Sequence, residues 1–373
     1  MPGVYISIPF CEQKCTYCNF ASGVFSEKLL PRYIEALAAE IRAAGFSEPP
    51  DTLYLGGGTP SLLAPEQLET LLAALPARAW HEATIEASPL TISPEKAAAW
   101  AALGIDRVSL GVQSFVAREA AETGRKHTAE DVEREVEILR RAGIANINID
   151  LIAGLPHQTG ESWRASLDWL RRIDPPHVSV YMLEVDDDSR LGLELRSGGG
   201  RYGAANVPGD GQIAQFYETA AAELRQMSIL RYEISNFSRA GAESGHNLKY
   251  WTMQPYLGFG ADAHSFDGRR RWRNAESPAG YVARFDAGQG VHAGIEEFDP
   301  RRRAEERMFT GLRLSRGVQA TPAELAAYAV PIREFGARGW LEQESGGRLR
   351  LTPSGILFSN EVFQAFLSDP VAT

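Results

Sequence analysis

All three cysteines of the chain, Cys11, Cys15 and Cys18, lie close together near the amino terminus. Three thiolates on one short loop can each bind one iron of a [4Fe–4S] cube, which leaves the fourth iron open to a small molecule. Zinc is an alternative, but a structural zinc ion prefers four ligands, and no histidine or fourth cysteine lies nearby. Three inert thiols are a second alternative, although chance would not place every cysteine of the chain on one loop. The spacing therefore favours an iron–sulfur cluster.

A glycine run, GGGTP at residues 56–60, follows a predicted strand at residues 52–55. Consecutive glycines let the backbone approach a ligand closely and leave its N–H and C=O groups unhindered. Such runs also form ordinary tight turns, so the run alone is a weak signal. Because ligands bind at the carboxyl ends of strands in parallel α/β folds, its position favours a binding role.

The elements that must position these residues alternate regularly over the first half of the chain. Strands are predicted at residues 4–8, 52–55, 83–87, 107–110, 146–152 and 177–183, and helices at 29–44, 65–75, 94–103, 129–142 and 161–172. Strand–helix alternation predicts parallel strands joined by right-handed crossovers. Six such units predict an α/β fold with a partial (β/α)6 barrel rather than a complete eight-fold barrel.

The alternation stops after residue 183, and residues 186–211 have the acidic and glycine-rich composition of loops. This change predicts a first domain over residues 1–210 and a smaller α+β domain over residues 211–373. The second domain is predicted to begin with a helix at 213–227. About residues 300–373 form a winged-helix-like end with a β-wing at 348–351.

The overall composition excludes several classes of protein. Acidic residues outnumber basic ones 48 to 38, and the resulting net charge of −10 argues against a nucleic-acid partner. No apolar run is long enough to cross a bilayer, and no signal peptide precedes the first strand. An odd number of cysteines, all on one loop, is atypical of the disulfide framework of a secreted protein. We therefore expect a cytoplasmic protein without a transmembrane segment.

The cysteine spacing, the preceding strand and the glycine run together resemble the radical S-adenosylmethionine (SAM) superfamily. In that superfamily the open iron binds SAM, and a reduced cluster breaks its C–S bond to give a 5′-deoxyadenosyl radical. The resemblance therefore implies two cofactors, one [4Fe–4S] cluster per chain with three cysteine ligands, and SAM.

Further motifs resemble one group within this superfamily, the oxygen-independent coproporphyrinogen III oxidases and their sister branch, the heme chaperones of the HemW type. These motifs are YISIPFC at residues 5–11, GVQSF at 111–115 and NIDLIAGLP at 148–156. The oxidases carry a further cysteine two positions after the third, where this chain has Phe20, and a long arm before the cluster, where this chain has ten residues. The chaperones carry a His-Asn-x-x-Tyr-Trp segment, found here at residues 246–251. All three differences indicate the chaperone branch.

The resemblance also implies which residues bind SAM. The family's contacts correspond to Tyr5, Tyr17, Gly57, Gly58, Thr59, Glu86, Gln113, Arg125 and Asp150. Glu86 would accept hydrogen bonds from the ribose hydroxyls. Tyr17, Gln113, Arg125 and Asp150 would lie near the region that holds a second SAM in the oxidases. The alternative for Glu86 and Asp150 is an ordinary solvated carboxylate, but both follow apolar strands, which favours burial towards the barrel mouth.

The same resemblance implies that His246 binds heme, since neutral imidazole is a good iron ligand and Tyr250 and Trp251 could stack on a porphyrin. The alternative is a hydrogen-bonded structural histidine. His264 is a second candidate, although the glycines on either side of it predict a buried turn. Two arginine runs, at residues 269–271 and 301–303, could bind heme propionates but are more typical of solvated faces.

The function implied is that of a heme chaperone, which takes up heme as cargo and delivers it to a heme-requiring protein, expected to be a respiratory one. Any contact with a membrane would then come through the acceptor. The alternative is the oxidase, which decarboxylates coproporphyrinogen III to protoporphyrinogen IX by radical SAM chemistry. A third interpretation is a related porphyrin-modifying or methyl-transferring enzyme. The sequence alone does not decide whether the chain is an enzyme, and it assigns no catalytic residue.

Overall fold

A computed structural model describes residues 1–19, 21–26, 28–76 and 79–367. Its first half alternates strands with helices: β1 (Gly3–Ile8), α1 (Leu29–Ala43), β2 (Thr52–Gly57), α2 (Pro65–Leu72), β3 (Glu82–Ala87), α3 (Pro94–Ala102), β4 (Arg107–Gln113), α4 (Ala117–Glu122), α5 (Ala129–Arg141), β5 (Asn146–Ala153), α6 (Gly160–Ile173) and β6 (His177–Met182). The six strands pair in parallel in the order of the sequence. The predicted partial α/β barrel is confirmed.

Local sequence explains most of these boundaries. Side chains at Ser93, Thr128 and Thr159 accept hydrogen bonds from backbone N–H groups three residues ahead, and so cap α3, α5 and α6. Alternate residues of the parallel strands are apolar, and together with the helices they form one continuous core. In β1, Val4, Ile6 and Ile8 are fully buried.

The middle of the chain extends this sheet at both edges. It forms α7 (Arg190–Ser197), α8 (Asp210–Gln226), β7 (Leu230–Arg231), β8 (Asn236–Ser238), α9 (Gly245–Trp251), β9 (Tyr256–Phe259), β10 (His264–Phe266), β11 (Arg270–Asn274), α10 (Pro278–Asp286) and β12 (His292–Glu297). The strand order is β12-β11-β10-β9-β1-β2-β3-β4-β5-β6-β8-β7. Strand β9 runs parallel to β1, while β8 runs antiparallel to β6. The domain boundary at residue 210 stays a prediction.

The loop predicted over residues 186–211 is wrong in part, because residues 190–197 form α7. The helix is capped at its amino end by Ser189 Oγ, which accepts from Gly192 N at 3.0 Å, and it ends at Gly198 in a left-handed conformation. Buried Leu191 anchors it. The acidic and glycine-rich runs that suggested a loop are the two flanks of this helix.

A small unit completes the described chain. It comprises α11 (Pro300–Leu312), β13 (Val318–Gln319), α12 (Pro322–Ala327), α13 (Ala329–Ala337), β14 (Leu341–Gln343), β15 (Arg348–Leu351), α14 (Pro353–Leu357) and α15 (Ser359–Gln364). Its strands form a separate antiparallel sheet in the order β13-β15-β14, in agreement with the predicted α+β character. The predicted wing is β15. Nowhere in the described ranges does a helix reach the length and apolar character that a bilayer span requires.

Candidate functional site

The cysteine loop begins directly after β1, at the carboxyl edge of the sheet. Two backbone hydrogen bonds hold the start of the loop: Cys11 N donates to Gly23 O and Gly23 N donates to Pro9 O, both at 2.9 Å. Further along, Cys18 N donates to Cys15 O at 3.3 Å, which closes a turn. All three cysteines are unpaired and half-buried. The loop therefore presents three thiols at the barrel mouth.

Thr16 ties this loop to two neighbouring segments. Its N–H and hydroxyl donate to Thr123 O at 3.4 Å and to Glu122 O at 3.0 Å, and its carbonyl accepts from Leu191 N at 2.9 Å. Thr16 itself is buried. The helix α7, which the sequence analysis missed, is thus one of the supports of the cysteine loop.

The environment of the thiols fits a [4Fe–4S] cube. Burial raises the pKa of the Cys11 thiol, although hydrogen bonds from Thr59 and Ser22 act to lower it. Arg125 lies beside Cys15 and Tyr17, so a guanidinium faces the charge that thiolates would carry. Among the described residues, no three potential ligand side chains converge on one point as a single metal ion would require. A cube needs no such convergence, because each thiolate binds a different iron.

The glycine run packs against the segment that leads into the cysteine loop. Gly58 N and Thr59 N donate to Ile8 O and Phe10 O, both at 2.9 Å. A Cβ on Gly58 would lie 2.8 Å from Phe10 O, closer than real contacts allow. The expectation that this run offers free N–H groups to a ligand is therefore wrong for Gly58 and Thr59. Their N–H groups hold the loop, and the Thr59 hydroxyl lies beside the Cys11 thiol.

Glu86, near the carboxyl end of β3, points into the barrel. Tyr54 donates its hydroxyl proton to Glu86 Oε1 at 2.9 Å, and Tyr5 stacks on Tyr54 with ring centroids 6.1 Å apart. Burial raises the pKa of Glu86 to about 7; hydrogen bonds from Tyr54 and Gly57 N act to lower it, whereas the charge of Asp150 raises it. Tyr54 was not singled out from the sequence, since a tyrosine in a strand is usually a packing residue.

Asp150 belongs to a polar layer within the barrel. Its carboxylate accepts from Asn148 Nδ2 at 2.7 Å and from Ser109 Oγ at 3.2 Å. Burial raises the pKa of Asp150, whereas the nearby charge of Arg107 lowers it. Arg107, itself buried, is a further residue that the sequence analysis missed, and the only signal was a charged residue opening an apolar strand.

The predicted SAM residues fall into two adjoining groups. Tyr5, Glu86 and Asp150 line the barrel interior, while Tyr17, Thr59 and Arg125 lie beside the cysteines. Gln113 joins the second group, because its Nε2 and Arg125 Nη2 both approach the same side of Gly111. Gln113 has a left-handed backbone, with φ of 69°, at the end of β4. Such a conformation in a non-glycine residue is typical of functional sites.

His246 lies at the other end of the barrel, where the strands begin. It belongs to α9, whose first N–H groups are capped by Glu82: Gly245 N donates to Oε2 at 2.7 Å and His246 N to Oε1 at 3.0 Å. The imidazole Nδ1 lies 2.9 Å from Thr52 Oγ1 and Nε2 lies 2.9 Å from the Tyr250 hydroxyl. Thr52 and Glu82 are the first residues of β2 and β3. The imidazole ring therefore lies at the amino end of the barrel.

This placement contradicts the expectation that His246 offers its imidazole to heme iron. The side chain is 0% exposed, and both ring nitrogens already have partners within the protein. Burial lowers its pKa to about 3, and the charges of Lys249 and Arg107 act in the same direction. In this conformation His246 is the hydrogen-bonded structural histidine that was the alternative interpretation.

The remaining sequence candidates have mixed outcomes. The buried turn predicted for His264 is wrong, since this residue begins β10 and its side chain is exposed. Arg270 pairs with Asp267 at 2.9 Å on the surface, as expected of a solvated face. Arg271 differs, because it is half-buried, pairs with Glu306 at 2.5 Å and lies over the ring of Phe298. Position 20, where the cysteine of the oxidases is missing, lies outside the described residues.

Several known proteins are similar to this chain over almost its whole length. The sequence model of the radical SAM superfamily matches residues 5–170, and that of the HemN C-terminal domain matches residues 298–358. The chain is 34% identical to the heme chaperone HemW of Bacillus subtilis, covering 99% of this chain and 100% of that protein. It is 33% identical to HemW of Lactococcus lactis (98% and 97% covered) and 29% identical to HemW of Escherichia coli (98% of each).

Among solved structures, coproporphyrinogen III oxidase (HemN) from Escherichia coli, described as a radical SAM enzyme, superimposes with a TM-score of 0.85. The match covers 98% of this chain and 90% of the oxidase, at 21% sequence identity. At that identity the similarity shows a common fold and no more.

Proposed function

Because the chain belongs to the HemW branch of the radical SAM superfamily, we propose that it is a heme chaperone that binds heme and passes it to an acceptor protein. The observation that carries this proposal is full-length similarity to proteins named heme chaperones, at 32–34% identity in several bacteria. The oxidase shares the fold at lower identity, which does not distinguish the two activities. The phenylalanine at position 20 adds support for the chaperone.

We propose that Cys11, Cys15 and Cys18 hold one [4Fe–4S] cluster and that SAM binds beside it. The thiols share one loop at the barrel mouth, and Arg125 offsets part of the charge of a thiolate-bound cluster. When bound, a reduced cluster supplies the electron that breaks the C–S bond of SAM in this superfamily.

The residues of this chain bind and orient SAM in the proposed site. Tyr5 and Glu86 form the wall towards the barrel interior, where Glu86 accepts from the ribose hydroxyls. Gly58 and Thr59 are bonded to the segment that leads into the cysteine loop, and the Thr59 hydroxyl lies beside Cys11. Gly57, next to them, is the third proposed contact of this run. Tyr17, Gln113 and Arg125 lie beside the cysteine loop, and with Asp150 from the barrel interior they are the proposed contacts of a second SAM.

The acceptor is proposed to be a heme-requiring respiratory protein, and the chaperone is proposed to act in the cytoplasm. A reducing compartment suits three unpaired cysteines that must remain thiolates to bind iron.

The test uses the full chain, reconstituted with iron and sulfide without oxygen and titrated with hemin. We expect saturable binding with a shifted Soret absorption band. The same protein, given SAM, a reductant and coproporphyrinogen III, should form no protoporphyrinogen IX while an authentic oxidase does so in parallel. Absence of saturable hemin binding would contradict the proposal, and so would turnover at the rate of the oxidase.

The cluster assignment is tested separately by replacing each of Cys11, Cys15 and Cys18 with serine. Each variant should lose most of the labile sulfide, because a thiolate binds iron far better than a hydroxyl. Thr123→Ser is the matched control: it keeps a hydroxyl beside the loop and should retain a full complement of sulfide. Retention of the cluster by all three serine variants would exclude these ligands.

A further inference from the structure

A cavity of about 370 Å³ is lined by residues of α9, the strands β9 to β11 and α11. Its volume falls within the range of roughly 300–1,000 Å³ that is usual for small-molecule sites. Aromatic side chains of Trp251, Tyr256 and Phe266 form much of its wall, and His264 and Arg271 contribute polar groups. None of these residues belongs to the proposed SAM site.

The register of the strands explains why these side chains meet. Phe266 lies directly opposite both Tyr256 on β9 and Arg271 on β11, and His264 lies opposite Arg273. Residues directly opposite one another in antiparallel strands share one face of the sheet. One face of this extension therefore carries an imidazole, aromatic rings and two guanidinium groups.

His264 has the properties that an iron ligand needs. Its side chain lines the cavity and remains accessible to solvent. Partial burial of the ring lowers its pKa; the charge of Asp262 acts to raise the pKa, and the charges of Arg271 and Arg273 act to lower it. The lowered pKa favours the neutral imidazole, which is the form that binds iron. In contrast, both nitrogens of His246 have protein partners.

Two donors at the cavity wall have no partner in the part of the chain that the structure describes. Trp251 Nε1 and Arg271 Nε are both buried and make no hydrogen bond. A buried polar group without a partner is destabilising, so such groups often mark a ligand that supplies the acceptor. Propionate oxygens are acceptors of this kind, and guanidinium groups bind carboxylates strongly.

We propose that this cavity is the heme cargo site, with His264 as the iron ligand and the aromatic wall packed on the porphyrin face. Arg273 and the Nε of Arg271 bind the propionates, while Nη2 of Arg271 keeps its pairing with Glu306. This inference rests on the proposed chaperone function and names its site. No residue of the cysteine loop lines the cavity.

His246 is then a positioning residue. Its Nε2 is hydrogen-bonded to the Tyr250 hydroxyl, and the Tyr250 ring lies edge-on against Tyr256 at 4.7 Å and against Trp251 at 6.3 Å. Replacing His246 loosens this wall and weakens hemin binding indirectly. A simple loss of affinity in a His246 variant therefore does not identify the iron ligand, and the test needs a readout of the ligand itself.

The experiment replaces each histidine with cysteine in the full, cluster-loaded chain and records hemin absorption spectra. Thiolate and imidazole ligation give iron different electronic properties. We expect a thiolate-type spectrum from His264→Cys, and a spectrum like that of the wild type from His246→Cys. Loading the cluster first keeps the thiols of the cysteine loop occupied.

Affinity provides the second measurement. Since loss of even indirect partners of a metal costs roughly 10–100-fold in affinity, His264→Ala should weaken hemin binding by at least about tenfold. Added imidazole should restore the spectrum of His264→Ala because that position is exposed. His81→Ala, which removes another exposed histidine, is the control and should bind hemin like the wild type.

The outcomes separate the two proposals. If the wild type binds no hemin, the chaperone function itself fails. If the wild type binds hemin but His264→Ala keeps its affinity, or if His246→Cys alone shows the thiolate-type spectrum, only the assignment of this cavity is overturned.

Discussion

At the scale of single residues, Glu86 is the group whose chemistry depends most on its surroundings. Its carboxyl lies inside the barrel and accepts from Tyr54, and burial brings its pKa to about 7. It is therefore half ionised in the neutral range, unlike an exposed glutamate with a pKa near 4.3. Hydroxyl donors from a ribose favour the ionised form, because a carboxylate is the stronger acceptor.

It follows that SAM affinity should rise with pH. Below pH 7 the binding of SAM must first remove a proton from Glu86, so we expect affinity to increase about tenfold between pH 6 and pH 8. Calorimetric titration of the cluster-loaded protein at several pH values measures this. Glu86→Gln should bind more weakly and lose the slope, whereas Glu66→Gln, an exposed change on α2, should keep it. A flat profile in the wild type would contradict the role of Glu86.

At the scale of elements, the six barrel strands and most of their helices could be predicted from the sequence. Short apolar runs separated by amphipathic helices with capping residues determine them locally. Strands β9 to β12 were not predicted, because they are short and carry polar residues such as His264 and Arg271. Their pairing depends on β1, which is distant in the sequence.

The candidate site could be predicted to a similar degree. The cysteine loop and the groups near Glu86 follow from motifs whose residues are close along the chain or end neighbouring strands. The position of His246 could not be predicted, because it depends on hydrogen bonds to Thr52 and Glu82, which lie 194 and 164 residues earlier. Which edge of the sheet a helix covers is a tertiary property that local sequence does not encode.

The contact between the glycine run and the cysteine loop gives a prediction at this scale. Gly58→Ala should push the Ile8–Phe10 backbone away, since its Cβ would lie 2.8 to 2.9 Å from backbone atoms there. We expect loss of at least about half of the labile sulfide after reconstitution, together with weaker SAM binding, because coordination tolerates only small displacements of about 0.5 Å. Gly160→Ala, with no atom within 4 Å of the new Cβ, is the control. Equal sulfide in both variants would show that the loop adapts to the extra methyl group.

At the scale of the whole molecule, buried neutral histidines join distant parts of the fold. His177 on β6 lies 2.6 Å from Asn148 Oδ1 on β5 and 2.9 Å from the Tyr232 hydroxyl. Burial lowers the pKa of His177 and brings that of His127 to about 4. In the unfolded chain each histidine takes up a proton near pH 6.5, which the folded protein resists. Each therefore stabilises the fold above pH 6.5 and loses that contribution as the pH falls.

Replacing one of these histidines should reduce the sensitivity to acid. Between pH 7 and pH 5 we expect the free energy of unfolding of His127→Gln to fall by about 1–2 kcal/mol less than that of the wild type. Glu86, with its raised pKa, has the opposite effect over this range, so the comparison between variant and wild type is the informative quantity. Urea unfolding at both pH values measures it. His81→Gln, at an exposed position, should follow the wild type, and an unchanged slope in His127→Gln would refute the assignment.

The bonds made by Thr16 bear on how the protein matures. Thr16 is hydrogen-bonded to the end of α4 and to α7, so the polypeptide itself holds the cysteine loop in position before iron binds. We therefore expect the cluster to be inserted into a preformed loop, rather than to direct the folding of that loop.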